Sequence, residues 1–338
     1  MHTRILDLDG SLVRQELLLR RARPTIFPLQ EWGPSLRLAC SHGSFRRFQD
    51  HVSRLTGCDR DVVPHLNFVG SGDFHHVSLA LLRRLPRPCN LLILDNHPDW
   101  MRGVPLLHCG TWLYHAAQLP GVKRIFHLGG DVDFDNAYRW LAPWPMLRSG
   151  KIVVLPARRR FTGRRWADIP HRPLRRLDGE PDDRASIAEW LAPFRTELAE
   201  RPLYVSFDKD VLTASESVVN WDSGHLTVEE VSDVLRAFLA ASAGNLAGVD
   251  VVGDWSPVRL RGALRRLLHW TEHPVLRVDS EEATRRNERV NLLLLGHLSQ
   301  SADTDPRRGL RLVRAGEDST EAGGRTETSA RPPLRRAG

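Results

Sequence analysis

Lysine is nearly missing from this chain. Of 48 basic residues in 338, only Lys123, Lys151 and Lys209 are lysines, and the formal net charge of +7 is carried by arginine. Such an excess would ordinarily suggest a nucleic-acid partner. An excess made almost wholly of arginine reads as coding bias instead, so nucleic acid is not expected. No run of 18 apolar residues occurs, which excludes a helical membrane span. The opening MHTRILDLDGSLVRQE turns acidic within ten positions and lacks the apolar centre of a signal peptide, so a cytoplasmic location is the expectation. Cysteine is also sparse. Cys40, Cys58, Cys89 and Cys109 show no paired metal-ligand spacing and read as reduced thiols. Cys109 adjoins His108, but nothing places a base beside it as a nucleophile would need.

What is present is an α/β pattern. The chain is 41% hydrophobic and 26% charged, enough to bury a full core. RILDLD, HLNFVG, LLILD, KRIFHLG, KIVVL, LYVSFD and LAGVDVV read as strands. Stretches such as 77–85 and 228–240 have helical apolar spacing. Alternation of this kind predicts a three-layer α/β/α fold with a central, mainly parallel sheet. Thr227 and Glu230 form a capping-box pattern at the start of one helix. Residues 1–300 are expected to be one domain. From 301 to 338 the composition turns to Gly, Ser, Thr, Pro and charge, and a disordered tail is expected. The arginine-rich run 157–176 reads as a solvated connection.

Chemistry concentrates at three strand ends. Asp95, His97 and Asp99 follow LLIL, Asp208 and Asp210 follow LYVSF, and His75 follows LNFVGSGDF. In an extended segment alternate side chains share a face, so each acidic group can converge on one point. Carboxylates and imidazoles without thiolate suit manganese or another hard or borderline divalent ion. Two ions roughly 4 Å apart could share carboxylates and activate water. In an open parallel sheet, ligands belong at these carboxyl ends.

The stretches GSGDFHHVSLALL, LDNHPDW, LLHCGTWLYHA and YVSFDKDVL resemble the ordered motifs of the arginase and agmatinase (ureohydrolase) family, across roughly residues 60–260. The first motif is usually Gly-Gly-Asp-His. Phe74 is an extra residue here, and alignment of the following helix favours His75 over His76 as the ligand. The resemblance implies an arginase-like fold and two manganese ions per chain. His75, Asp95, Asp99 and Asp208 would hold one ion, and Asp95, His97, Asp208 and Asp210 the other. It further implies His108 as a proton shuttle beside the metals, with Asp99 as the second catalytic side chain. A metal-bridging hydroxide would cleave a carbon–nitrogen bond in a guanidino, amidino or amide compound. The partner implied is a small-molecule substrate, and a symmetric homo-oligomer is also expected.

Departures from the family concern the substrate. The usual Asp-x-Asp-x-x-Asp-Pro reads DKDVLTA from Asp208, and the glutamate that grips a guanidinium is replaced in GVDVVGDWSP by glycine, with Asp254 one residue late. Asp254, Trp221 and Trp255 are therefore the expected substrate-binding residues, with Trp100 a third tryptophan in the same loops. Aromatic faces can bind planar groups or cations, although large aromatics more often supply buried area.

Two rival readings follow from the same residues. LDLDGSLV, with Asp7 and Asp9 after a strand, resembles the nucleophile motif of haloacid-dehalogenase-like phosphatases, and Lys123 with GDVDFD at 130–135 loosely resembles their later motifs. The altered substrate segment also allows a metal-binding regulatory protein without turnover.

Overall fold

The computed structural model describes residues 1–57, 63–130, 137–157, 185–273 and 277–303. Ten strands occur among them: β1 (His2–Asp7), β2 (Thr25–Pro28), β3 (Ala39–Cys40), β4 (His65–Gly70), β5 (Cys89–Leu94), β6 (Leu107–His108), β7 (Val122–Leu128), β8 (Ile152–Leu155), β9 (Leu203–Asp208) and β10 (Leu246–Val252). Eight of these form one sheet in the order β2-β1-β4-β10-β9-β5-β7-β8. Every neighbouring pair in it is parallel. The short β3 and β6 pair separately and antiparallel.

Burial on both faces explains why the strands read as unbroken apolar runs. All six residues of β5 are buried. Its alternate side chains divide between two cores. Leu91 and Ile93 join Phe48, Trp112 and Leu147 on one face, while Leu92 and Leu94 join Phe238, Leu294 and Leu198 on the other. Helices His42–Thr56, Ser78–Leu82, Trp112–Ala117 and Trp144–Arg148 supply the first layer. Helices Val228–Ala241, Ser280–Asp303 and Arg195–Glu200 supply the third. The expected three-layer α/β/α architecture is present.

All seven predicted strands are found. The stretch 77–85 is different: a 3-10 helix, Gly72–Val77, precedes a short α-helix, Ser78–Leu82. The capping box at Thr227 forms, with its hydroxyl accepting from Glu230 N–H and the Glu230 carboxylate accepting from Thr227 N–H at 2.8 Å. The last helix runs to Asp303, past the expected boundary at 301. Residues 304–338, Cys58, residues 131–135 and 158–176 of the arginine-rich run lie outside the described residues.

Phe126 illustrates how the third layer is fixed. It is fully buried on β7, with the rings of Phe194, Phe238 and Trp190 at 5.2, 5.3 and 6.0 Å. Truncating it leaves a void that rigid neighbours cannot fill. Phe126→Ala is expected to cost about 3–5 kcal/mol, against about 1 kcal/mol for the cap variant Thr227→Ala. Chemical denaturation of both variants checks this, and a Phe126→Ala shift no larger than the cap shift would refute the packing account.

Candidate metal centre

Four adjacent central strands, in the order β4-β10-β9-β5, carry the site at their carboxyl ends. Asp95 leaves β5 with its N–H donating to Leu128 O at 3.0 Å. Beyond it the backbone turns rather than remaining extended. Asp95 Oδ1 accepts from His97 N at 2.7 Å, a two-residue side-chain turn. Asp99 lies in the left-handed region, φ +50°, a conformation that aspartate tolerates better than most residues. Trp112 Nε1 donates to Asp99 Oδ2 at 2.7 Å and fixes the carboxylate. On β9 the device recurs: Asp208 caps a 3-10 turn, Lys209–Val211, by accepting from Asp210 N at 3.0 Å. The expected convergence thus occurs, but through turns closed by the carboxylates and not through strand alternation.

The six expected ligands meet. His75 Nδ1 lies 3.0 Å from Asp99 Oδ2, 3.1 Å from Asp95 Oδ2 and 3.5 Å from Asp208 Oδ2. His97 Nδ1 lies 2.8 Å from Asp210 Oδ2 and 4.0 Å from Asp95 Oδ1. Donor atoms of His75, Asp95 and Asp99 form one group compact enough to hold a metal ion, and those of Asp95, His97 and Asp210 form another. Asp95 is common to both. Asp208 is wedged between two glycines: a Cβ on Gly72 would stand 2.8 Å from its Oδ2, and one on Gly253 2.5 Å from its Oδ1. Gly253 also has φ +91°, which disfavours any side chain there.

The orientation of His75 tests whether these residues suit a cation. Its Nε2 is 2.9 Å from Ser206 Oγ, and that hydroxyl donates to Asp250 Oδ1 at 2.8 Å. Ser78 Oγ donates to the same carboxylate oxygen at 2.8 Å. With its own hydrogen committed to Asp250, Ser206 accepts from His75 Nε2–H. Nδ1 then presents its lone pair to the carboxylates, and neither it nor the buried Asp95 Oδ2 has a hydrogen-bond partner of good geometry. A histidine held this way is oriented as metal-ligating histidines are. The donor set fits a divalent cation.

Electrostatics agree. Burial opposes charge on His75 and His97, yet the carboxylates around them outweigh it: His75 is raised well above the usual imidazole range and His97 to about 10. Burial raises Asp208 far above the carboxylate range, reinforced by Asp210, and raises Asp210, reinforced by Asp95. The proton that the carboxylates draw to His75 Nδ1 occupies the same lone pair that a divalent cation would take in its place.

A cavity of about 240 Å³ opens over the cluster. Beyond the ligands, Pro98, Met101, Cys109, Tyr138 and Trp221 form much of its wall, and His108 lines it too. His108 Nδ1 accepts from Gly110 N at 2.9 Å, which assigns the ring proton to Nε2. His76 is a fully buried core histidine beside Phe45, lowered to about 3 by burial.

Two of the expected substrate residues fall elsewhere. Asp254 is buried, ion-paired to Lys209 and held by Gln15 Nε2 at 2.6 Å, and is not in the cavity wall. Trp255 is half-buried and also outside that wall, whereas Trp221 is part of it. Trp100 is buried against His127. Cys40 and Cys89 are buried free thiols, pushed up to about 12 by burial. Sequence reasoning did not find Ser206, Asp250 or Trp112. The only available signal was a polar residue inside an apolar strand, at Ser206 and Asp250.

Among the described residues, Asp7, Asp9 and Lys123 are not brought together as a phosphatase-like site. Asp7 accepts from Gly10 N and Gln30 Nε2, and Asp9 from Ser11, Ser71 N and Ser256 Oγ, so both close loops. Asp7 ends β1 while Lys123 begins β7, and in a parallel sheet those are opposite ends.

No family model matches the chain. An uncharacterized protein of Thermotoga maritima is 24% identical over 259 residues, covering 76% of this chain and 81% of the relative. Among solved structures, formimidoylglutamase from Bacillus subtilis superposes with a TM-score of 0.53 at 14% identity, covering 90% of this chain and 87% of that one. Arginase from Bacillus caldovelox gives 0.51 at 15%, covering 88% and 97%. Trypanosoma cruzi formiminoglutamase with Mn2+ gives 0.50 at 13%, covering 90% and 93%. The fold of the chain is arginase-like.

Proposed function

We propose that this protein is a dinuclear manganese hydrolase that cleaves a carbon–nitrogen bond of a guanidino, amidino or amide small molecule. The observation that carries the reading is the His75 Nδ1 lone pair, turned by Ser206 and Asp250 into a pocket of buried carboxylates. Oxygen and imidazole donors favour manganese over a thiolate-seeking metal. The fold likeness to proteins named arginase and formiminoglutamase, one of them with Mn2+, supports the same class. A cytoplasmic location and a single catalytic domain over residues 1–300 belong to the proposal.

His75, Asp95 and Asp99 would hold one ion and Asp95, His97 and Asp210 the other, with Asp208 beside both. Bound divalent ions supply a nucleophilic water at neutral pH and polarise the carbon it attacks. The chain does the rest. Ser206 and Asp250 orient His75, Trp112 holds Asp99, and Asn96 N–H donates to Asp210 Oδ1 at 2.9 Å. Pro98, Met101 and Trp221 give the cavity over the cluster an apolar part of its wall. His108, whose Nδ1 is already taken by Gly110 N–H, offers Nε2–H as a hydrogen-bond donor to the charge that develops on the substrate during attack.

Elemental analysis of protein purified with manganese is expected to find about two ions per chain. Asp99→Asn should hold fewer, and Ser206→Ala, which touches no metal, should weaken manganese affinity by about 10–100-fold. Equal manganese in parent and Asp99→Asn would sink the metal-centre assignment.

A screen of guanidino, amidino and amide compounds, read as ammonia or amine release, is expected to give turnover. His108→Ala should lower kcat by about 10²–10³-fold with metal content retained. Full manganese loading without any turnover across the panel would favour the regulatory reading instead.

A further inference from the structure

The carboxylate by which an arginase-like protein would grip a cationic substrate is closed off here. Position 253 is a glycine whose Cβ would strike Asp208 Oδ1 at 2.5 Å and Lys209 N at 2.7 Å, so no side chain fits without displacing the cluster. Asp254 is turned into the core and neutralised by Lys209. A cation in the cavity must therefore be met elsewhere, or not at all.

The cavity wall answers this. Outside the metal-ligand set its single charged residue is Asp222, and no lysine or arginine lines it among the described residues. Asp222 is exposed at the mouth, next in sequence to Trp221. Its backbone is anchored to the metal loop by Asn96 Nδ2, which donates to Asp222 O at 3.0 Å. Trp221 is anchored independently. Its Nε1 donates to Asp73 Oδ1 at 3.0 Å, and the His273 ring lies against it at 4.3 Å. Asp73 is itself held by Arg37 at 2.6 Å and His273 at 2.7 Å, so this tether is buried and charge-balanced. An indole whose N–H is bound by a carboxylate is polarised toward a more electron-rich ring, the surface that attracts cations.

We propose that Trp221 and Asp222 form a cation subsite at the mouth of the metal cavity, and that the substrate carries an ammonium or guanidinium group separate from the bond that is cleaved. The proposal rests on the hydrolase reading for the word substrate, but the binding it asserts does not require turnover. An aromatic face with an adjacent carboxylate selects positive charge over a neutral group of equal size. An exposed carboxylate alone adds little. The fixed indole makes the pair selective, because little ordering remains to be done on binding.

The test is calorimetric titration of the manganese-loaded full chain with 2-phenylethylammonium and with its neutral analogue 2-phenylethanol, metal content being measured on the same samples. The parent should bind the ammonium at least about tenfold more tightly. Asp222→Asn should reduce the ratio without abolishing it, and Trp221→Leu should weaken both probes, the ammonium more. Equal affinities in the parent, no binding of either probe, or a ratio unchanged in both variants would each overturn the subsite. Ammonium preference without C–N turnover would instead remove the hydrolase reading and leave the subsite standing.

Discussion

Everything at the centre of this molecule depends on placing four carboxylates within one buried cluster. Asp95, Asp99, Asp208 and Asp210 are each at most 5% exposed, where charges repel strongly and desolvation is costly. Positive charge has to be present, as protons on His75 and His97 or as divalent cations. The sheet order β4-β10-β9-β5 brings the ligands together. Glycines at 72 and 253 then clear the space that Asp208 occupies.

Two other buried acids, Asp73 and Asp254, are paired apart from the cluster, and that separation preserves it. Asp73 is paired with Arg37, which with His273 overcomes the effect of burial and holds its carboxyl well below the usual range. Asp254 is paired with Lys209. Lys209 stands between Asp208 and Asp210 in the chain, so a different rotamer would bring an ammonium to the carboxylate cluster. Its full burial and its ion pair with Asp254, which Gln15 and Asn291 hold in place, prevent this. A buried ion pair gives little net stability. Its contribution here is positional, since it keeps a competing cation away from the cluster.

How much of this the sequence revealed depended on the kind of signal. Strands buried on both faces are continuous apolar runs, and all seven such runs were legible. β2, with the sequence TIFP, was not, because an edge strand that is mostly exposed and ends in proline carries no such run. The convergence of these side chains was legible from spacing although the assumed cause was not the actual one. An i, i+2 pair of acids converges equally well by strand alternation or by a side-chain turn, and the same residues serve in both. Asp254 shows the limit of the method. Its fate depends on Lys209, which pairs with it, and on Gln15 and Asn291, which hydrogen-bond it from far away in sequence.

The division between what the strands hold and what the loops hold explains why a shared fold leaves specificity open. His75 is oriented from beneath by Ser206 on β9 and Asp250 on β10, two positions fixed by paired registers. A sub-ångström requirement of this kind is best met from a rigid sheet. The mouth of the cavity is built differently. Trp221 and Asp222 lie in the loop after β9, tied back by Asp73 and Asn96 but free of the ladder. Loops tolerate substitution where strands do not. The acidic cluster can therefore be retained while the mouth of the cavity is rebuilt, and in this chain the carboxylate exposed there is Asp222, while Asp254 is buried against Lys209.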